Sequence, residues 1–276
     1  MRKYFWAFGL VLFFLLMFKS YTLAVTTAEA DETKVQHLAK QLQNPVASLI
    51  SVPFQNNWYS GLGAAGNGTE YLLRFQPVIP ALINNDWLLV TRPIFSYISQ
   101  QNVVGTTSQT GLGDTQIEIF FSPARASGDG VTWGLGPILQ IPTAAEALLG
   151  AEKWGIGPAA CLHKQNGPWT TVALLNHVWS FTGNNNRSDI CATFLEPIFA
   201  HSSKKGTTFV LMSESTYDWI SNRWAIPLEA GVSQVLPLFG HYWSFSATGI
   251  YNLDYPGNIN KWAARFTVTL ILPEHK

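Results

Sequence analysis

The chain has 276 residues, of which only 12% are charged and 13% are aromatic, including 11 Trp. A soluble domain usually carries about 25% charged residues, so this composition is unusual for a protein whose whole surface meets water. The 17 basic and 17 acidic residues cancel, which argues against nucleic acid or another polyanion as a partner. Beyond residue 30, no apolar stretch approaches the roughly 20 residues of a transmembrane helix, which excludes a helical membrane protein.

The first thirty residues have the order of a secretory signal peptide. Arg2 and Lys3 precede an apolar run from Tyr4 to Phe18, and small residues follow up to Ala28-Glu29-Ala30. The apolar run is shorter than the roughly 20 residues of a spanning helix, which favours cleavage over a signal anchor. We therefore expect residues 1–30 to be removed after export through the Sec pathway.

Residues 31–50 form the one segment with helical periodicity. Val35, Leu38 and Ala39 recur at helical spacing, and Asn44-Pro45 predicts the end of the helix. The sequence leaves three roles open for this segment: a plug or lid of the domain that follows, a periplasmic extension, or a poorly ordered N-terminal arm.

Residues 51–276 form one predicted domain in which apolar and polar residues alternate. Turn residues such as Gly66-Asn67-Gly68 and Pro256-Gly257-Asn258 separate twelve strand-like segments. The segments are 54–64, 69–80, 86–99, 110–122, 130–142, 152–163, 168–182, 188–201, 206–219, 223–236, 240–253 and 261–273. Strands of this length and an even number suit a membrane barrel with both ends on the periplasmic side. We predict an all-β fold, an antiparallel transmembrane β-barrel of about 12 strands with a short N-terminal helical segment.

The two-residue alternation assigns one face of each strand to lipid and the other to a lumen. In the last strand, Trp262 and Phe266 would face lipid while Arg265 would face inward. A lipid-facing Arg at the midplane would cost about 2–4 kcal/mol, so the charged residues within strands are assigned to the lumen. The predicted lumen-lining charges are Arg74, Arg92, Glu118, Glu196, Glu214, Glu229 and Arg265. Because these charges nearly cancel, they predict weak ion selectivity.

Most of the Trp residues lie near the ends of predicted strands, as in the aromatic girdles of membrane barrels. The alternative is that the rings form the core of a soluble secreted sandwich. These residues are Trp58, Trp87, Trp133, Trp154, Trp169, Trp179, Trp219, Trp224 and Trp262.

Six prolines lie inside the predicted strands, where each one removes a backbone donor from the sheet ladder. They are Pro77, Pro93, Pro137, Pro158, Pro197 and Pro227. Since a closed barrel has no free edge on which to place them, we expect bulges or local breaks in the ladder at these positions.

Cys161 and Cys191 fall on predicted strands with one strand between them. Two strand spacings of about 4.8 Å exceed the Cα separation of under about 7 Å that a disulfide allows. Neither residue has a His or Cys partner at metal-site spacing, so no metal and no other cofactor are expected.

Several motifs resemble one known family in their order and spacing, across nearly the whole mature chain. They include Gln76-Pro77-Val78-Ile79-Pro80, Gly111-Leu112-Gly113-Asp114-Thr115-Gln116, Trp133-Gly134-Leu135-Gly136-Pro137, Lys153-Trp154-Gly155-Ile156-Gly157-Pro158 and Asn176-His177-Val178-Trp179-Ser180. The chain thus resembles the transporter-like outer-membrane β-barrel family associated with meta-pathway phenol degradation. The resemblance implies a bacterial outer-membrane barrel, surrounded by lipid, that passes small compounds, hydrophobic or aromatic ones among them. It transfers no catalytic residues.

No catalytic motif is present: the sequence lacks a G-x-S-x-G elbow, an H-E-x-x-H pair and a phosphate-binding loop. Three functions therefore stay open, with a passive channel or transporter as the main prediction. The first alternative is a structural or surface-interaction barrel without an open pore. The second is an outer-membrane lipid hydrolase, which would require His177, His201 or His241 to lie within hydrogen-bond reach of a serine.

Overall fold

The structure is a computed structural model that describes residues 29–272 of the chain. These residues form a closed antiparallel β-barrel of 12 spanning strands with one short helix, as the sequence predicts. The predicted signal peptide, residues 1–30, lies outside the described residues except for its last two positions. Within the described part of the chain, no helix is long and apolar enough to cross a membrane.

Every pair of neighbouring strands in the barrel is antiparallel, and three of the spans are divided into two shorter strands each, namely β2–β3, β5–β6 and β11–β12. The strands are β1 Ile50–Leu62, β2 Gly68–Phe75, β3 Ile79–Leu82, β4 Trp87–Gln101, β5 Ser108–Leu112, β6 Thr115–Pro123, β7 Val131–Ile141, β8 Lys153–Asn166, β9 Trp169–Gly183, β10 Cys191–Ser202, β11 Thr207–Met212, β12 Ser215–Asp218, β13 Arg223–Leu238, β14 His241–Asp254 and β15 Trp262–Leu272. A single turn of 3-10 helix, Ala147–Leu149, lies in the connection between β7 and β8.

The barrel closes between its last and first strands, where Ile50 pairs with Leu272 and Trp58 pairs with Ala264. We call the end of the barrel that carries Ile50 and Leu272 the terminal rim, and the opposite end the distal rim. The first strand begins four residues before the predicted boundary at residue 54, because the alternation of buried and exposed side chains already starts at Leu49 and Ile50.

The outer face of the barrel is apolar. Leu135, Leu162 and Phe209 are 55%, 53% and 60% exposed, although each lies within a strand. Aromatic side chains contact one another close to both rims, for example Trp87 with Trp133 at the terminal rim, with ring centres 6.0 Å apart. At the distal rim the contacts are Trp58 with Tyr71, Tyr217 with Trp224 and Tyr251 with Trp262. An apolar belt between two aromatic girdles is the surface that a lipid bilayer requires.

The inner face is not polar throughout. Ten buried residues, most of them on strands β4 to β9, form an apolar cluster inside the barrel, and Val46 from the N-terminal segment is part of it. Its most deeply buried members are Val90, Phe120, Ile138 and Leu174. These side chains contact each other and the N-terminal segment. On strands β4 to β9, the alternating residues therefore face lipid on one side and a packed apolar core on the other.

The N-terminal segment packs against the terminal rim. The helix α1, Glu29–Gln41, begins two residues before the predicted segment 31–50 and ends before Asn44-Pro45. Leu38 and Ala39 are buried against Val235 and Ile271 of the barrel. Gln36 Nε2 donates a hydrogen bond to the Ser202 backbone oxygen at 3.3 Å, which fixes the helix beside the turn after β10. The segment therefore closes part of the mouth of the barrel at this rim.

Each of the six prolines that the sequence predicts to lie inside strands adjoins an interruption of the ladder, so the breaks expected at these positions are present. Pro77 lies in the gap between β2 and β3, and Pro227 lies at a register shift after Ile226. Pro137 and Pro158 pair with each other, but their ladders to β6 and to β9 skip these positions. Pro93 and Pro197 lie opposite the gaps that divide β2 from β3 and β11 from β12. The missing donor of each proline therefore faces a place where the neighbouring strand offers no ladder partner.

Cys161 lies on β8 and Cys191 on β10, with β9 paired between them. Both cysteines are free, in agreement with the prediction from strand spacing.

Candidate functional site

The main cavity of the barrel is polar and has a volume of about 400 Å³. It lies in the lumen, and strands β2, β4, β6, β9 and β10 contribute to its wall because their inward positions alternate with the lipid-facing ones. Its charged lining consists of Arg74, Arg92, Asp114, Glu118, Glu196 and Glu214. Four amide side chains, Gln76, Gln116, Gln140 and Asn176, and several apolar ones, Leu174 and Phe194 among them, complete the lining.

Arg265 is the centre of a buried network on one wall of the lumen. Its Nε donates to Asn57 Oδ1 at 2.6 Å, and its Nη1 donates to Glu229 Oε2 at 2.6 Å. Its Nη2 donates to Glu214 Oε2 at 3.0 Å, and Arg74 Nη1 donates to the same oxygen at 2.8 Å. Charge-assisted hydrogen bonds of this kind are stronger than neutral ones, so the network holds β1, β2, β13 and β15 together across the lumen.

Glu214 reaches this network because it lies in the gap between β11, which ends at Met212, and β12, which begins at Ser215. The gap frees the residue from the ladder, and its side chain is 12% exposed between the two Arg residues. The gap between β11 and β12 therefore places a carboxylate between the two Arg residues of the lumen.

A second network lies on the opposite wall. Arg92 Nη1 is 3.0 Å from Glu118 Oε2, and Asn176 Nδ2 donates to Glu118 Oε1 at 2.8 Å. Glu118 is 2% exposed, so its carboxylate is held by the Arg and by the amide and is shielded from water. Asn57 and Asn176 were missed as lumen residues, although both occupy inward positions of the two-residue alternation.

Two smaller cavities adjoin these networks. One of about 210 Å³ lies between the N-terminal segment and the wall, and its lining includes Asn44, Ala47, Arg92, Glu196 and Arg265. The other, of about 190 Å³, lies toward the distal rim and is lined by Glu70, Arg74, Glu214, Glu229 and Asp254, among others. All seven residues that the sequence assigns to the lumen thus line one or more of the three cavities.

Asp114 fixes a loop of the distal rim against the wall. Its Oδ2 accepts from Ala151 N at 2.7 Å and from Gln140 Nε2 at 3.1 Å, and its Oδ1 accepts from Ala144 N at 3.2 Å. The residue lies in the gap between β5 and β6, and the loop that it holds, residues 143–151, also buries Leu149. Asp114 was not among the predicted lumen residues, although a Gly-Asp pair in the middle of a predicted strand is a signal for such a break.

The next loop of the distal rim, residues 184–190, is also fixed by charged side chains. Lys153 Nζ lies 2.9 Å from Asp189 Oδ1, and Asn184 Nδ2 donates to Glu152 Oε2 at 3.0 Å. The hydrogen bond from Lys153, together with one from Ser180, lowers the pKa of Asp189 below its usual value. The distal mouth of the lumen is therefore framed by two ordered loops.

A lipid hydrolase would require one of His177, His201 and His241 to contact a serine. None of the three has a serine partner among the described residues. His177 lies on the outer wall, with Nδ1 2.7 Å from Thr193 Oγ1 and Nε2 3.7 Å from Cys191 Sγ. His201 packs against the ring of Trp169, and His241 begins β14 at the terminal rim. Within residues 29–272, no group of three His, Cys, Asp or Glu side chains is placed to hold a metal ion.

Comparison with known proteins places the fold. The chain is similar to an outer membrane channel from Pseudomonas putida F1, with a TM-score of 0.66 and 11% identity over 83% of this chain and 96% of that chain. It is also similar to the NanC porin, with a TM-score of 0.49 and 12% identity over 81% of this chain and 100% of that one. The KdgM porin has a TM-score of 0.41 and 11% identity over 82% of this chain and 99% of that one. No family model matches the chain, and no curated protein matches its sequence.

The fold and the lumen together define the class of protein. The chain is a closed antiparallel barrel of 12 strands with the fold of an outer-membrane channel. The similarity at 11% identity establishes this fold and nothing finer, and the two porins, with TM-scores below 0.5, add nothing to the assignment.

Proposed function

We propose that this protein is a channel of the bacterial outer membrane through which small solutes pass passively. The observation that carries the proposal is the contrast between the two faces of the barrel wall. The outer face is an apolar belt between aromatic girdles, and the inner face encloses a polar cavity of about 400 Å³. A barrel with this distribution of side chains is stable in lipid and presents hydrogen-bonding groups to a solute inside it.

The proposed location follows from the same surface and from the predicted signal peptide. Export through the Sec pathway, cleavage after residue 30 and assembly into the outer membrane of a Gram-negative cell would place the apolar belt in lipid. In this arrangement the terminal rim faces the periplasm and the distal rim, with its two ordered loops, faces the outside.

We further propose that the solutes include hydrophobic or aromatic compounds, as the resemblance to the family associated with meta-pathway phenol degradation implies. The lining of the main cavity supports this substrate class, since Ile94, Leu174 and Phe194 lie beside Gln76 and Asn176. A cavity that combines apolar and amide side chains suits a ring with one or two polar substituents.

A structural barrel without an open pore is the second candidate function. It is favoured by the N-terminal segment, whose helix and Val46 fill the terminal mouth and part of the interior. The two candidates predict different behaviour of the folded protein, because only a channel conducts ions.

The test is the conductance of the purified protein in a planar bilayer, after folding has been established by the heat-modifiable mobility of the barrel in a gel. We expect discrete conductance steps. A correctly folded protein that remains silent both at full length and after removal of residues 31–49 would overturn the channel and favour the structural barrel.

A further inference from the structure

Glu196 lies near the middle of β10 and is one of the charged residues that line the lumen. Its neighbour Pro197 faces the gap between β11 and β12, so this part of the wall is free of one ladder. Glu196 lines both the main cavity and the cavity of about 210 Å³ beneath it. Gln76 and Arg92 line both cavities as well, so a solute that moves from one cavity to the other meets this carboxylate together with one amide and one guanidinium.

The other charged residues of the main cavity are already engaged. Arg74 and Glu214 belong to the network around Arg265. Arg92 Nη1 lies 3.0 Å from a Glu118 oxygen and forms an ion pair with it, although Nε and Nη1 of Arg92 make no hydrogen bond. Asp114 accepts three hydrogen bonds from an amide side chain and from the loop of the distal rim.

Glu196 differs from all of these residues. In the described part of the chain, no hydrogen bond and no ion pair joins its side chain to another residue, although the residue lines two cavities.

The balance of charge makes this carboxylate attractive to cations. The main cavity has two Arg residues against four carboxylates, so its lining is acidic when all of these groups are ionised. A carboxylate that is partly removed from water and has no protein partner is stabilised by a cation that takes the place of the missing partner. Rings of acidic side chains select cations in other channels for the same reason.

We propose that Glu196 is the selectivity-determining residue of the lumen and that it favours the passage of small cations, including compounds that carry an ammonium group. This inference rests on the proposed channel function. It is sharper than the weak selectivity expected from the sequence, because the main cavity holds four carboxylates against two Arg residues and Glu196 is the carboxylate among them that no ion pair or hydrogen bond engages.

The experiment measures the reversal potential of the folded protein in a planar bilayer across a gradient of KCl. The variants are Glu196→Gln, which removes the charge at constant shape, and Glu196→Asp, which keeps it. Glu146→Gln serves as a matched control because it removes one carboxylate from the exposed distal loop, outside the three cavities. Glu196→Ser is measured as a second neutral variant should Glu196→Gln assemble poorly.

We expect the wild-type protein, the Glu196→Asp variant and the control to prefer K⁺ over Cl⁻. We expect the neutral variants to lower the permeability ratio by about twofold or more. Conductance with an unchanged ratio in the neutral variants would overturn the role of Glu196 while leaving the channel in place. A wild-type preference for Cl⁻ would overturn it as well. If the wild-type protein and the variant without residues 31–49 both fold and stay silent, the proposed channel function itself fails, and the inference fails with it.

Discussion

Arg265 Nη1 lies 2.6 Å from Glu229 Oε2, and the two side chains are only 2% and 1% exposed. The two residues are on β15 and β13, so their ion pair spans the intervening strand β14 on the inner face of the barrel. An ion pair this deeply buried depends on the completeness of its hydrogen bonds, because each charge has lost its water. Here Asn57 and Glu214 supply the further partners of the guanidinium.

We predict that Arg265→Met strongly destabilises the barrel. The substitution leaves Glu229 buried without its partner and deprives Glu214 of one of its two Arg partners. Breaking a buried pair in this way costs about 3–5 kcal/mol. The measurement is the urea dependence of unfolding in lipid vesicles, followed through the loss of the heat-modifiable gel band.

Two further variants identify the cause of this loss. Arg125→Met, in an exposed turn at the terminal rim, should leave the unfolding midpoint unchanged. Arg265→Met combined with Glu229→Gln should recover part of the lost stability, since the uncompensated charge is then absent. If the double variant were less stable than the single one, shape rather than charge would explain the effect.

The helix α1 should control access to the lumen from the terminal rim. Leu38 is 3% exposed and packs toward Val235 and Ile271, whereas the adjacent His37 is exposed. We predict that Leu38→Glu releases the helix and raises the single-channel conductance, because a charge cannot stay in this apolar contact without a partner. Deletion of residues 31–49 should raise the conductance at least as much.

His37→Glu is the matched control for this experiment, since it places the same charge on the same helix at an exposed position. It should conduct like the wild-type protein. Equal conductance in the wild-type protein, the Leu38→Glu variant and the deletion would show that the N-terminal segment does not obstruct the pore.

Much of the fold follows from the sequence because a strand in a barrel wall has only two faces. The alternation of residues such as Trp262 and Arg265 is enough to assign a side, and the turns locate the strand ends. The alternation cannot identify the partner that an inward residue meets across the lumen. That partner depends on strand tilt and barrel closure, so the contact of Arg74 with Glu214 has no local signal.

Two features of the interior depend on contacts between residues that are far apart in the sequence. The apolar cluster around Phe120 includes Val46 of the N-terminal segment, and neither residue indicates the other in the sequence. Asp114 belongs to a predicted strand, but it lies in a gap of that strand because a loop supplies its hydrogen-bond donors. The sequence predicts ladder breaks at prolines, where the cause is covalent, and does not predict a break that a tertiary contact stabilises.

The loop at residues 143–151 should depend on Asp114. We predict that Asp114→Ala makes this loop more sensitive to proteases added to intact vesicles, because the substitution removes the acceptor for Ala144 N, Ala151 N and Gln140 Nε2. Hydrogen bonds to a charged group contribute about 1.5–3 kcal/mol, so the loop should open far more often. Glu146→Gln in the same loop keeps an acceptor oxygen for Thr110 N and should leave the cleavage rate unchanged. Equal rates in the two variants would mean that Asp114 does not hold the loop.

The outer face should be sensitive to charge in proportion to its depth in the membrane. Leu135 is 55% exposed in the middle of β7, and Phe181 is 64% exposed near the distal end of β9. We predict that Leu135→Arg destabilises the barrel in lipid vesicles by about 2–4 kcal/mol, whereas Phe181→Arg costs about 0–1 kcal/mol, since Arg reaches the headgroups from a strand end but not from the midplane. The measurement is again unfolding in urea. Equal costs at the two positions would contradict a lipid-facing belt. Folding of the wild-type protein in buffer without lipid or detergent would contradict it as well, and either result would favour a soluble sandwich with an apolar surface.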